Sequence, residues 1–296
     1  MTYDEVLIPT DGSESAERAA RYGQVLAEAY GASVYVLSVV DERDFDGVVG
    51  GDEADAGKTA AERTAQDAVE RVAALFEGNV TTRVTVGIPS EEILAYVSEA
   101  AIDLVAMGTH GRTGVERFLI GSVAERVVRH AEIPVLTVRL SDTASPWPPL
   151  ERILVPTDGS DASFQALPHA FDLADRFDAL VEGLSIVDER TKASVYTVET
   201  ALEEMVGGLE AMAETATERI EARAKAADAE VTTTVVDGIP SRTICAHAEE
   251  SGADLVVIAS HGRTGLSHYL LGSVAERVVR NSTVPVLTVP ADVDGE

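Results

Sequence analysis

The chain contains itself twice, and no other feature restricts its fold as much. The run VLIPTDGS at 6–13 returns as ILVPTDGS at 153–160, an offset of 147. The GIPS that begins at Gly87 returns at Gly238, an offset of 151, so the second copy carries a net insertion of four residues between its second and third strands. HGRTG at 110–114 and 261–265, and GSVAERVVR at 121–129 and 272–280, are identical. A repeat this long is a whole domain duplicated rather than a solenoid unit. The reading is domain 1 over 1–141, a linker over 142–150 and domain 2 over 151–296. The linker holds SPWPP, too proline-rich for a helix or a central strand, with Trp147 packing it onto a domain.

Within each copy apolar runs alternate with helical spacing. Val6–Ile8, Val34–Val40, Val80–Val86, Asp103–Met107 and Ile133–Val138 read as strands. Between them lie helices over Ser13–Tyr30, stopped by Gly31, and over Lys58–Glu77 after a Gly-rich loop, Asp41–Gly57. Two more follow, Glu91–Ala100 capped by Ser90 and Ser122–Arg129. Strands separated by helices predict an α/β fold in two tandem doubly wound domains, each a mostly parallel sheet with helices on both faces. Ligands of such sheets bind outside the C-terminal ends of the strands. PTDGS, VVDER and GTHGRTG all fall there.

Composition excludes several classes of function. Lys+Arg 23 against Asp+Glu 51 gives a net charge of −28, spread along both halves, and Lys58, Lys192 and Lys225 are the only lysines. Such a surface repels nucleic acid and anionic membranes. It suits a high-salt cytoplasm, where self-repulsion is screened; a dedicated basic partner is the alternative. No apolar run approaches the roughly 20 residues of a membrane span. The N-terminus opens directly on strand one without a basic leader, which predicts a cytoplasmic protein. Cys245, the single cysteine, reads as an inert buried thiol on the helix Ser241–Glu250.

The glycines carry the functional signal. Gly108 and Gly111 follow the fourth strand, where glycine allows close backbone approach or a positive φ. Gly121, Ser122 and Val123 open the next helix, whose first N–H groups lack intrahelical partners and whose dipole favours an anion. Arg112 adds positive charge beside a phosphate placed there. Pro9, Thr10 and Asp11 end strand one, with Asp11 placed to accept from a ribose hydroxyl, and Val39 offers main-chain groups and apolar surface to a base. Ser122-x-x-Glu125 is also a capping box, which needs no ligand. His110 and His261 have no second ligand at metal spacing and read as loop-positioning residues.

These residues resemble the universal stress protein family over nearly the whole chain, twice. Its nucleotide-binding members carry G-2x-G-9x-G-(S/T), matched by Gly108, Gly111, Gly121 and Ser122; PTDGS, VVDE and PVLTV are similar too. The resemblance implies a five-stranded parallel sheet per domain of the adenine nucleotide alpha hydrolase-like type. It also implies ATP or another adenine nucleotide bound with Mg²⁺, an intrachain pseudo-dimer through the closing strands, and a possible homodimer. On that likeness Asp11 and Val39 contact adenosine, and Asp158, Ile186, Gly262, Gly272 and Ser273 repeat the site in the second half. Ala259 departs from the pattern where the first half has Gly108, which predicts a crowded, altered or merely structural second site. Three functions stay open: a stress-response nucleotide sensor or regulator with little or no turnover, a slow ATPase on the same fold, and a ligand-free scaffold. No GxxxxGK-(S/T) loop is present to supply the phosphate lysine of P-loop enzymes.

Overall fold

The computed structural model describes residues 2–45, 52–78, 80–111, 120–139, 150–195, 202–262 and 271–291. The chain divides into two units, Thr2–Trp147 and Pro148–Glu296. The first begins with β1 (Glu5–Pro9), α1 (Glu14–Tyr30), β2 (Ser33–Asp41) and α2 (Asp52–Ala73). It continues with β3 (Val80–Gly87), α3 (Pro89–Glu99), β4 (Leu104–Gly108), α4 (Ser122–His130) and β5 (Val135–Val138). Its strands lie in the order β3-β2-β1-β4-β5, every pair parallel. Strand order reverses at β1, which pairs with both β2 and β4, and in such sheets ligands bind there, outside the strands' C-terminal ends.

The second unit repeats the plan. β6 (Arg152–Thr157), α5 (Asp161–Phe164), α6 (Ala166–Phe177), β7 (Leu180–Asp188), α7 (Glu189–Val195) and α8 (Leu202–Ala226) come first. β8 (Val231–Gly238), α9 (Pro240–Glu250), β9 (Leu255–Ala259), α10 (Ser273–Asn281) and β10 (Val286–Val289) complete it. Its order is β8-β7-β6-β9-β10, again all parallel.

Small aliphatic side chains build both cores. Leu7, Ile8, Leu26, Leu37, Leu104 and Leu136 are fully buried in the first unit, and Ile153, Leu154, Leu167, Leu173, Leu184 and Ile220 in the second. Alanines on α1 let it lie close to the sheet. A Cβ at Gly23 would already come within 3.0 Å of Ile8 Cδ1. At the opposite end of each sheet an aspartate ties two strands: Asp103 accepts from Asp4 N and Glu5 N, and Asp254 from Glu151 N and Arg152 N, all within 3.0 Å.

Several boundaries differ from the sequence expectation. The helix expected over Lys58–Glu77 begins at Asp52 and ends at Ala73. Within the expected loop after β2, Glu42–Phe45 forms a 3-10 turn. Ser90 is not a cap: Ile88 is the N-cap of α3, Pro89 occupies its first turn, and Ser90 is buried. Proline at that position has a preset φ and lacks only an N–H that would be unpaired anyway. Cys245 is half-buried rather than fully enclosed. In the second unit the counterpart of α1 is broken at Gln165. Pro168 explains the break, because it has no N–H for the carbonyl of Phe164 and its ring collides with that carbonyl.

Candidate functional site

β1 pairs with both β2 and β4, so the C-terminal ends of the three strands lie side by side. Successive residues of a parallel strand turn their N–H and C=O groups to alternate edges. Leu37 presents its carbonyl to the β1 side, where Thr10 N donates to it at 2.8 Å. Ser38 therefore faces β3, and Val39 faces the β1 side again, past the point where β1 has ended at Pro9. Ile186 is the matching residue of β7, one step beyond the last paired position, Thr157 with Ser185. Each of these residues lies past the last paired position of β1 or β6, at the C-terminal mouth of its sheet.

The PTDGS turn fixes the carboxylates. Thr10 Oγ1 accepts from Gly12 N at 3.1 Å, and Asp11 Oδ1 accepts from Ser13 N at 3.0 Å. In the second half Thr157 Oγ1 accepts from Gly159 N, and Asp158 Oδ1 from Ser160 N, each at 3.0 Å. A feature the sequence did not signal clips this turn from the long helix. Arg219 Nη1 on α8 donates to the Gly159 carbonyl at 2.7 Å, and its guanidinium lies 4.3 Å from the ring centre of Phe164. Arg71 on α2 reaches Gly12 O at 3.5 Å and Glu17 Oε1 at 3.1 Å. Only folding brings these arginines to turns some sixty positions away (59 and 60 residues).

A Cβ at any glycine of the motif would press on protein atoms. None of Gly108, Gly111, Gly121, Gly262 or Gly272 has a positive φ, so of the two alternatives for Gly108 and Gly111 the positive φ is not met. A Cβ on Gly111 would stand 2.7 Å from Asp11 Oδ2, and one on Gly262 would collide with Asp158 Oδ2. On Gly121 and Gly272 it would approach the carbonyls of Thr109 and Ser260 at 3.2 and 3.0 Å. Those carbonyls accept from Gly121 N and Gly272 N, both at 2.7 Å, which closes the loop onto the helix start. Gly108 is different. Its missing Cβ points at α1, 2.6 Å from Ser15 Oγ and 2.8 and 2.9 Å from the Ser15 carbonyl carbon and oxygen. Crowding at this position therefore falls on a helix, not on a ligand. The second half carries Ala162 in place of Ser15 and the broken helix after it, and the Ala259 methyl is buried there.

The capping-box expectation at Ser122 is overturned. Gly121 and Gly272 are the N-caps of α4 and α10, with no side-chain cap bond, and Glu125 pairs with Arg129 at 2.9 Å instead. Ser122 and Ser273 are exposed first-turn residues whose hydroxyls are not used to close the helix. The first N–H groups of both helices have no intrahelical acceptor. His110 and His261 behave as expected of positioning residues: their Nδ1 atoms lie 2.9 Å from Thr109 Oγ1 and Ser260 Oγ. Ser260 Oγ also accepts from Ala291 N at 3.0 Å. Arg112 lies outside the described residues, as do most of the linker and Trp147.

In the second half these parts surround a cavity of about 370 Å³, within the range of small-molecule sites. Asp158, Ile186, Gly262, Gly272 and Ser273, each expected from the sequence, all line it. Leu209, Met212 and Ala213 of α8 and Ile244 of α9 also line it and carried no motif. Asp188 faces the same space, but Arg190 meets its charge in a two-point contact, Nε to Oδ1 at 3.0 Å and Nη2 to Oδ2 at 2.6 Å. Hydrogen bonding from Arg190 holds the Asp188 carboxyl below the usual carboxylate range, as Arg43 does for Asp41. The remaining charges of note are the Asp158 carboxylate and the positive end of the α10 dipole. Among the described residues no group of three or more metal-ligating side chains is present.

Comparison with known proteins gives the family and the fold. The sequence profile of the universal stress protein family matches residues 2–139 and again 149–290. A universal stress protein of Mycobacterium bovis is 29% identical over 290 residues, 95% of either chain. One from Methanocaldococcus jannaschii is 36% identical over 140 residues, 46% of this chain and 82% of its own. The crystal structure of a universal stress protein from Archaeoglobus fulgidus aligns over 99% of this chain and 98% of its own, with a TM-score of 0.67 at 23% identity.

Proposed function

The chain belongs to the universal stress protein family, and we propose that it binds an adenine nucleotide such as ATP at the mouth of each sheet. In the second half the Ile186 main chain would meet the edge of the base and Asp158 a ribose hydroxyl. The amides that open α10, with Ser273 Oγ and the Gly262 backbone, would hold phosphate oxygens. Asp11, Val39, Gly111, Gly121 and Ser122 would do the same in the first half. The observation that carries this reading is the single cavity lined by all five second-half residues and bounded by an uncapped helix N-terminus.

The donor set suits phosphate: backbone amides and a hydroxyl at a helix start. Mg²⁺ would be carried in by the phosphates, since the described residues supply no ligand cluster for it. Bound nucleotide would act as a signal in stress response, with little or no turnover. Among the described residues no helix is long and apolar enough to cross a membrane.

Titration calorimetry of the full chain with MgATP in molar KCl tests the reading. A saturable heat is expected, together with adenine nucleotide in the supernatant of freshly denatured protein. Absence of both would leave the scaffold reading, and turnover above roughly 1 s⁻¹ would favour an enzyme.

The acidic surface makes a separate prediction. With a net charge of −28, the melting temperature is expected to rise as KCl goes from about 0.1 M to about 2 M, because repulsion between exposed carboxylates is screened. A flat or falling salt profile would remove the high-salt account of the composition.

A further inference from the structure

The two mouths are not equivalent, and the difference lies in the long helix rather than in the glycine motif. α2 and α8 align by burial: Ala65, Ala68, Val69 and Val72 are buried on one, and Ala213, Ala216, Thr217 and Ile220 on the other. The offset is 148 at each of these pairs, and it also matches Arg71 with Arg219, the two arginines that clip the PTDGS turns. At this offset Leu209 and Met212 of α8, both lining the second-half cavity, stand where α2 has Ala61 and Thr64. The edge residue changes in the same sense, from Val39 to Ile186.

Position along the cavity says which part of a ligand would feel the change. α8 packs on β7, the strand that carries Ile186, and on β8. α10, which bounds the phosphate end, packs on α9 and β10. Met212 is 47% exposed at the rim, with a shallow groove toward Gly159 and Arg219 beside it. An unbranched thioether in that setting has room to lie against the flat face of a ring, where sulfur makes favourable aromatic contacts.

Resting on the nucleotide reading above, we infer that Met212 and Leu209 are specificity-determining residues that make the second half the tighter of the two sites. They recognise the purine nucleoside portion of the ligand rather than its phosphates. The apolar wall adds contact area that the first half lacks. Its expected worth is about tenfold in affinity, the effect of burying one to two additional methylene equivalents.

Calorimetry of the full chain in molar KCl, once with adenosine and once with MgATP, tests this. Two affinity classes are expected. The double variant Leu209→Ala with Met212→Thr, which copies the first half, should weaken the tight class about tenfold for both ligands and leave the weak class unchanged. The converse double variant, Ala61→Leu with Thr64→Met, should tighten the weak class, a gain that misfolding cannot imitate. Equal sites in the parent chain, or a tight class that survives the first variant, would overturn the inference while leaving nucleotide binding in place. A loss seen with MgATP but not with adenosine would also overturn it, by moving the contact to the phosphates. If the parent binds neither ligand, the functional reading itself fails.

Discussion

Gly108→Val is expected to destabilise the first half by about 3 kcal/mol or more, the upper range for forcing atoms into a packed core. The added Cβ would meet backbone as well as a side chain, at 2.8 Å from the Ser15 carbonyl carbon and 2.9 Å from its oxygen. Trimming Ser15 to alanine would therefore not rescue it. The helix would have to lift, and Ser15 Oγ would lose its 3.4 Å contact with the Val138 carbonyl on the neighbouring strand. Ala259→Gly in the other half should cost only about 1 kcal/mol, through greater freedom of the unfolded chain and a lost methyl. Guanidinium titration with hydrogen exchange of the α1 and β4 amides assigns each loss to its half. A Gly108→Val protein of unchanged stability that has lost nucleotide binding would restore a ligand-facing role for this glycine and refute the packing account.

The same position shows what a repeat discloses and what it hides. Parallel pairing and the meeting of PTDGS, VVDER and GTHGRTG at one edge follow from alternating apolar runs and short connections, which are local properties. The five residues expected to line the second site do line one cavity. The direction of a missing Cβ is not local. It depends on how closely α1 crosses β4, and nothing near residue 108 encodes that. A Cβ at any glycine of the motif would also press on the protein's own carboxylates, carbonyls or helix backbone.

Capping went unread for a related reason. Ser122-x-x-Glu125 satisfies the pattern of a capping box, but the pattern supposes that serine is the residue before the first turn. A hydrogen bond from Gly121 N to the Thr109 carbonyl fixes the start one residue earlier, and that bond spans a twelve-residue loop closure. Once Glu125 is committed to Arg129, the serine hydroxyl is left at the mouth of the site. The wall from α8 was hidden too: Leu209 and Met212 look like any apolar helix positions until the helix is docked on β7. The insertion between the second and third strands also shifts the offset from 147 to 148 in that helix, so a fixed alignment of the copies misses the pairing.

Mild acid is expected to weaken the second half selectively. His169 on α6 is 9% exposed, and burial lowers its pKa from 6.5 to about 4, partly offset by the nearby Asp172 carboxylate. A histidine kept neutral in the fold is protonated more readily in the unfolded chain. Between the two pKa values the unfolded state therefore binds more protons, and stability falls as pH drops. The loss begins near the unfolded value of 6.5 and is complete only below about 4. It amounts to about 2 kcal/mol by about pH 5. The first half has Tyr22, also buried, at the matching position of α1 in place of a histidine. His169→Tyr should accordingly leave stability near neutral pH within about 1.5 kcal/mol of the parent, as a swap of comparable bulk does. It should also remove most of the drop toward about pH 5. Guanidinium titrations at both pH values, read through hydrogen exchange of α6 and of α1, give the comparison directly. Equal acid sensitivity in the parent and the variant would mean that other groups carry the effect.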